Sequence, residues 1–155
     1  SVGAGTGATV GKVGGLENVT KSGVGSASTK VDDATVGALV VLNAVGDVFD
    51  LGGNRLSGSP ESDRPASMQS FGSNTTLIAI ATDADVDDRN ELRRLAVRAH
   101  DALAATVRPA HTRYDGDTAF VVSSGKRNVD VDELGEATFN VVASAIVDAV
   151  LSARA

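Results

Sequence analysis

The chain of 155 residues has no cysteine and no tryptophan, three prolines, two histidines and only 3% aromatic residues. Without cysteine there is no disulfide framework, no thiolate metal site and no cysteine nucleophile. His100 and His111 are too few for most zinc sites. With so few rings, Ala, Val, Leu and Ile must fill the interior, which suits strands packed closely against helices of small residues. Basic residues are also scarce. Twenty acidic residues against 14 basic ones leave a net charge of −6, which argues against a nucleic-acid partner, because phosphate neutralisation needs clustered Lys and Arg. The densest basic group, Arg89, Arg93, Arg94 and Arg98, follows helical spacing and reads as a solvated face. No apolar run reads as membrane-spanning and no signal peptide is visible. A cytoplasmic location without membrane contact is therefore expected.

What is present fits one domain with a sizeable core: 42% hydrophobic and 22% charged residues. The chain starts without Met, directly in S-V-G-A-G-T-G-A-T-V-G-K. Such an abrupt start leads us to expect further residues upstream.

Periodicity sets out the elements. Residues 1–15 are glycine-rich and read as irregular, entering a strand. The small polar and apolar alternation at 23–31 predicts a half-buried strand, and the run A-T-V-G-A-L-V-V-L-N at 34–43 predicts a central one. V-F-D-L at 48–51 reads as a short strand before the turn Gly52-Gly53-Asn54. Residues 54–73, with Pro60, Pro65 and six serines, carry no period and read as a loop. A strand follows at 76–82. Asp88 and Glu91 then form a capping-box pattern, opening a helix to about residue 106 whose stripe is Leu92, Leu95, Ala96, Ala99 and Leu103. Pro109 is read as its end. A strand at 118–124 precedes a second helix at 131–153, with Leu134, Thr138, Val141, Val142, Ala145, Ile146, Ala149 and Val150 facing inward. Strands then helix, strand, helix predicts α+β layers rather than a regular βαβ repeat.

Several polar positions invite a chemical reading. G-A-G-T-G-A at 3–8 fits a dinucleotide pattern, but the strand that should precede it is absent from the chain. The phosphate-loop pattern fails at Thr6 and Val13. A non-catalytic nucleotide-binding module on residues 3–12 is nevertheless the rival from another class. Lys12, alone among glycines, is either solvated or reaches into a cleft. Asn43, at the end of an apolar strand, is a turn former or a hydrogen-bond donor aimed at a site. Asp115 and Asp117 flank one glycine before a strand; the pair could bind a metal, cap a turn or do acid–base work. For a metal only His111 stands nearby as a further ligand. N-T-T at 74–76 matches a glycosylation acceptor, with no export signal to support it, and threonine also favours strand starts.

Taken together, G-A-G-T-G-A-T-V-G-K, V-V-L-N, S-N-T-T-L-I-A-I-A-T-D and R-P-A-H-T-R-Y-D-G-D-T-A-F stand in an order and spacing that resemble one family across nearly the whole chain. This is the DmpA-type self-processing hydrolases: L-aminopeptidase/D-esterases, β-peptidyl aminopeptidases and the nylon-oligomer endo-hydrolase, with ornithine acetyltransferase as a more distant relation. The resemblance implies an α+β fold, a four-layer αββα sandwich. Residues 1–155 would form the C-terminal portion of one hydrolase domain, with loop 54–74 leading to a self-cleavage point between Asn74 and Thr75. The freed Thr75, a position often held by Ser in that family, would be the nucleophile, and its α-amine the base for its own hydroxyl. Lys12 would orient that hydroxyl or shift its proton, Asn43 would donate to the oxyanion, and Asp115 and Asp117 would hold Thr75 and its amine in place. Thr76 would be structural, on the opposite strand face. The implied substrate is a small peptide or related amide, cleaved through an acyl-enzyme without a cofactor. The implied partners are the upstream portion of the same precursor and further copies in a homo-oligomer. Acyl transfer to an amine acceptor is the alternative within the same lineage.

Overall fold

A computed structural model of the chain describes residues 3–58 and 74–154. The strands are β1 (Thr9–Val10), β2 (Thr20–Lys21), β3 (Val24–Val31), β4 (Ala34–Asn43), β5 (Asp47–Val48), β6 (Thr75–Ala84), β7 (Val107–Arg108) and β8 (Thr118–Arg127). The helices are α1 (Arg89–Thr106) and α2 (Val131–Leu151). One four-stranded sheet, ordered β3-β4-β6-β8, carries the architecture; β1 pairs with β2, and β5 with β7.

In the main sheet β3–β4 and β4–β6 are antiparallel, whereas β6–β8 is parallel. A parallel pair needs a crossover connection, and α1 lies within it. This is the single β-α-β unit among the described residues, so the layout is α+β as the sequence implied. The predicted strand at 34–43 and the helix ending at residue 106 coincide with β4 and α1. The helix stops at Thr106, however, and Val107–Arg108 run on as β7 before Pro109 is reached. The strand expected at 48–51 shrinks to Asp47–Val48, followed by a lone bridge from Phe49 to Arg55. Of the expected 54–73 loop, residues 59–73 lie outside the described residues.

Strand alternation divides the sheet into two unlike faces. Val36, Val40, Leu42, Ile78 and Ile80 are fully or almost fully buried beneath the helices, where they meet Leu95, Leu103, Leu134 and Ile146 in one core. α2 packs across β3 and β4, and α1 against β8 and α2. The scarcity of rings shapes this contact. A Cβ at Gly25 would run into the backbone of Ala145 and Ala149, so glycine in β3 and alanine in α2 let helix and strand approach to backbone distance. Both helices start on an aspartate cap: Asp88 accepts from Asn90 N–H at 2.8 Å, and Asp130 accepts from Asp132 and Glu133 N–H at 2.9 and 3.0 Å. Glu91 lies 3.6 Å from Arg94 on the solvent side. Of the basic group, Arg98 is only one-third exposed, bonded to Asp101 and Glu136 and stacked on Phe139.

Residues 131–154 correct one expectation. This stretch is long and apolar enough to cross a membrane by length and composition, although the sequence reading found no such run. Its inward positions are packed in the core just described, and 56% of its most apolar stretch is buried, as in a core helix.

The other face of the sheet has no covering layer among the described residues. Leu39 (49% exposed), Leu77 (41%), Phe120 (58%) and Val122 (62%) stand on it, brought side by side by the registers Leu39↔Ala79, Ala79↔Phe120 and Ala81↔Val122. Thr75 and Asn43, also cross-strand neighbours, close one end of this face.

Candidate active site

The site is built where three segments meet at that end of the sheet. β4 ends at Asn43 directly opposite Thr75, the first residue of β6. An isolated parallel bridge between Asn74 and Asp115 prolongs the β6–β8 pairing backwards and brings the Asp115-Gly116-Asp117 turn alongside. The glycine-rich start supplies the third wall, with Lys12 N–H bonded to Val45 C=O at 2.9 Å.

Lys12 is 7% exposed. Its Nζ donates to Asn43 Oδ1 at 2.9 Å and to Asn74 Oδ1 at 2.6 Å, so one ammonium ties two asparagines on either side of Thr75. Asn43 Oδ1 also accepts from Thr9 N–H at 3.2 Å. Burial lowers the Lys12 pKa from 10.5 to about 8, with the negative charge of Asp115 opposing the shift. At that value about one lysine in ten is a neutral amine at pH 7.

Thr75 is partly buried, and its Oγ1 donates to the carbonyl oxygen of Asn74 at 2.6 Å. That carbonyl also accepts from the Gly116 N–H at 2.9 Å. The hydroxyl therefore lies against the peptide bond that precedes it. Thr76 points the other way, into the core, fully buried, and its Oγ1 finds no partner among the described residues.

The two aspartates have separate tasks. Asp115 accepts from Val45 N–H at 3.3 Å through one oxygen, and from Thr112 N–H and Oγ1 at 3.0 and 2.6 Å through the other. It closes the turn and ties it to the segment after β4. Asp117 accepts from Thr76 N–H at 2.9 Å, and its second oxygen is 2.9 Å from His111 Nδ1. Thr75 is thus framed by backbone that the carboxylates anchor. His111, weighed in the sequence only as a metal ligand, holds the Asp117 carboxylate, whose side chain is 4% exposed. Its ring lies 5.0 Å from that of His100 on α1. The signal for His111 and Thr112 was local: H-T two residues before the D-G-D turn. Among the described residues no group of three or more His, Asp or Glu is gathered to hold a metal ion.

The glycine-rich segment does not form a phosphate cradle. Thr6 N–H donates to Gly3 and Ala8 N–H to Gly5 within the segment, Gly11 N–H donates to Gly46 after β4, and no α-helix follows directly to aim a dipole at an anion.

The sheet and its helix layer match a known class of fold. The chain is similar to the L-aminopeptidase D-Ala-esterase/amidase of Ochrobactrum anthropi, described as a variant of the Ntn hydrolase fold, with a TM-score of 0.61 and 24% identity over 86% of this chain and 41% of that one. That likeness defines the fold class. The profile of peptidase family S58 matches residues 1–155, and the chain belongs to that family. Among curated relatives it is 35% identical to an uncharacterized aminopeptidase of Mycobacterium leprae, over 99% of this chain and 49% of that protein. It is 27% identical to a 6-aminohexanoate-oligomer endohydrolase of Kocuria, over 95% of this chain and again 49% of the relative. The chain thus spans about half the length of the curated relatives it matches.

Proposed function

We propose that this chain is the nucleophile-bearing part of a self-processing amide hydrolase, cleaved between Asn74 and Thr75. The observation that carries the reading is the 2.6 Å hydrogen bond from Thr75 Oγ1 to the Asn74 carbonyl. It sets the hydroxyl against the one peptide bond whose scission would make Thr75 a chain terminus. Lys12 stands one side chain away, on Asn74 and Asn43. Before cleavage the Thr75 nitrogen is an amide and cannot act as a base, so the neutral fraction of Lys12 takes the hydroxyl proton. Thr75 Oγ attacks the Asn74 carbonyl carbon, the C–N bond breaks as its nitrogen is protonated, and water opens the resulting ester. Asn74 leaves with a carboxylate, and Thr75 keeps its hydroxyl and gains a free amine. That amine has an ordinary pKa of roughly 7.7–8.0 and serves as base for the hydroxyl in later turnovers. Asp117 holds the Thr76 N–H and Asp115 the facing turn, which keeps the new terminus from swinging away.

An amide is the substrate class that both relatives' names share: one is called an aminopeptidase, the other an oligomer endohydrolase. The exposed apolar face around Leu77, Phe120 and Val122 supports a further part of this reading, that the upstream portion of the precursor covers it as a second sheet layer. The test uses the full-length precursor and its Thr75→Ala variant, assayed on short peptide amides after incubation. Activity that appears with processing in the wild type and is lost with it in the variant is expected. Equal activity in the variant would overturn the reading.

A further inference from the structure

We infer that the backbone N–H of Gly116 is the oxyanion donor of this site and is used twice: first on the Asn74 carbonyl during self-cleavage, then on the substrate carbonyl. The inference rests on the proposed scission before Thr75.

The Gly116 N–H donates to the Asn74 carbonyl oxygen at 2.9 Å, and the Thr75 hydroxyl touches the same oxygen at 2.6 Å. Nucleophile and N–H donor therefore already converge on one carbonyl. When Thr75 Oγ bonds to that carbon, negative charge develops on the oxygen the N–H already holds. A fixed dipole of this kind stabilises a transition state without reorganising. The ester then forms with the same acyl group in place. Hydrolysis returns the Thr75 hydroxyl and releases Asn74 as a carboxylate. Departure of Asn74 frees the Gly116 N–H beside a nucleophile that has not moved. A substrate carbonyl attacked by Thr75 Oγ must place its oxygen where the Asn74 oxygen was.

The identity of residue 116 supports this independently. Its φ does not lie in the left-handed region that favours glycine, so backbone conformation does not require glycine there. Space does: a Cβ at 116 would stand 3.0 Å from Thr75 Oγ1 and 3.7 Å from the Asn74 oxygen. The missing side chain is room in front of the nucleophile, where an acyl group has to enter. Asp115 and Asp117 fix the turn on both sides through Val45, Thr112 and Thr76, which makes Gly116 a rigidly aimed donor. Asn43 Oδ1 accepts from Lys12 and the Thr9 N–H, so that oxygen serves the lysine clamp, and any oxyanion contact from Asn43 would come from its Nδ2, in addition to the Gly116 N–H.

The decisive experiment replaces Gly116 by glycolate in the full-length precursor, made by cell-free translation, so that one N–H becomes an ester oxygen and the Asp115 carbonyl becomes a weaker acceptor while every side chain is kept. Phenyllactate in place of Phe120, further along β8, is the control for loss of a ladder donor. Cleavage is followed by intact mass with folding checked by thermal melting. We expect the glycolate variant to cleave about 100- to 1000-fold more slowly than wild type, with the same pH profile, and the phenyllactate variant to cleave within about 3-fold of wild type. Cleavage of a folded glycolate variant at the wild-type rate overturns the role of Gly116 while leaving the Thr75 reading intact. A wild-type precursor that never cleaves overturns the underlying reading instead. If the glycolate variant does not fold, the processed wild-type enzyme decides: the Gly116 amide proton resonance is expected to move downfield when a peptide aldehyde forms its adduct with Thr75, and a resonance that stays in place contradicts the inference.

Discussion

Thr75 and Thr76 are the same residue, one peptide apart, on opposite faces of one strand. Thr76 lies on the helix-covered face, fully buried among Ile78, Leu42 and the helix side chains, with a hydroxyl that has no partner among the described residues. Thr75 lies on the face without helices, partly exposed, with its hydroxyl on a backbone carbonyl and a lysine clamp beside it. The period of two in a β-strand makes this difference. One face of β6 packs against the helix layer, and the other, otherwise apolar, carries Thr75 at its end. Only the hydroxyl that the pleat turns away from the core is placed to do the proposed chemistry.

That contrast can be broken by experiment, and the largest effect comes from substituting the two threonines identically in the full-length precursor. Thr75→Val should slow self-cleavage by at least about 1000-fold, since removing a nucleophile leaves only residual catalysis, while the melting temperature changes little. Intact mass against time measures it, and retained cleavage would erase the distinction between the faces.

The apolar open face gives the next largest effect. Phe120→Ala should cost about 3 kcal/mol of stability in the precursor if an upstream layer covers the face, a core-like value. A loss below about 0.5 kcal/mol in denaturant titration would mean that Phe120 faces water there.

Lys12 offers a sharper test of chemistry than of packing. Its pKa of about 8 means that the neutral amine grows from about one tenth to one half of the population between pH 7 and 8. With the neutral form as the proposed base, cleavage should rise about five-fold over that unit and level off above about pH 9. Lys12→Arg keeps a cation and its donors but cannot deprotonate; about 100-fold slower cleavage with that rise removed is expected. An unchanged profile in the arginine variant would assign the titration elsewhere.

The smallest effect belongs to Thr76→Val. Exchanging an unpartnered buried hydroxyl for a methyl of similar shape should leave cleavage within about 3-fold and raise stability by up to about 1 kcal/mol, read by thermal denaturation. A loss of more than about 1 kcal/mol would reveal a hydrogen bond to a group outside the described residues.

How much of this was legible in the sequence depends on the range of the interaction. β4, α1 and α2 were readable because their signals are periodic within one element: the V-V-L-N run, the Leu95–Ala99–Leu103 stripe and the inward row from Leu134 to Val150. β1, β2 and β7 were not, since two residues carry no period and exist only through a partner such as Lys21 or Asp47. β8 runs on to Arg127 past its apolar stretch because it pairs with β6.

The site shows the same divide. Asn43, Asn74 and Asp115 are brought together by strand pairing, and Lys12 by its backbone bond to Val45, across tens of residues that no local spacing encodes. Only the resemblance to a family grouped them beforehand. Asp115 and Asp117, flanking one glycine, read as a single pair of carboxylates. Asp115 sits in a turn rather than in extended chain, however, and the two serve different partners. The carbonyl that Thr75 and Gly116 share is a backbone atom, invisible to any reading of side-chain motifs.

The central claim is tested most directly by N-terminal sequencing of the wild-type full-length precursor after prolonged incubation at pH 8. The account predicts two chains, the second beginning Thr75-Thr76-Leu77-Ile78. A single chain with the Asn74–Thr75 bond intact, or a new terminus at any other residue, would contradict it.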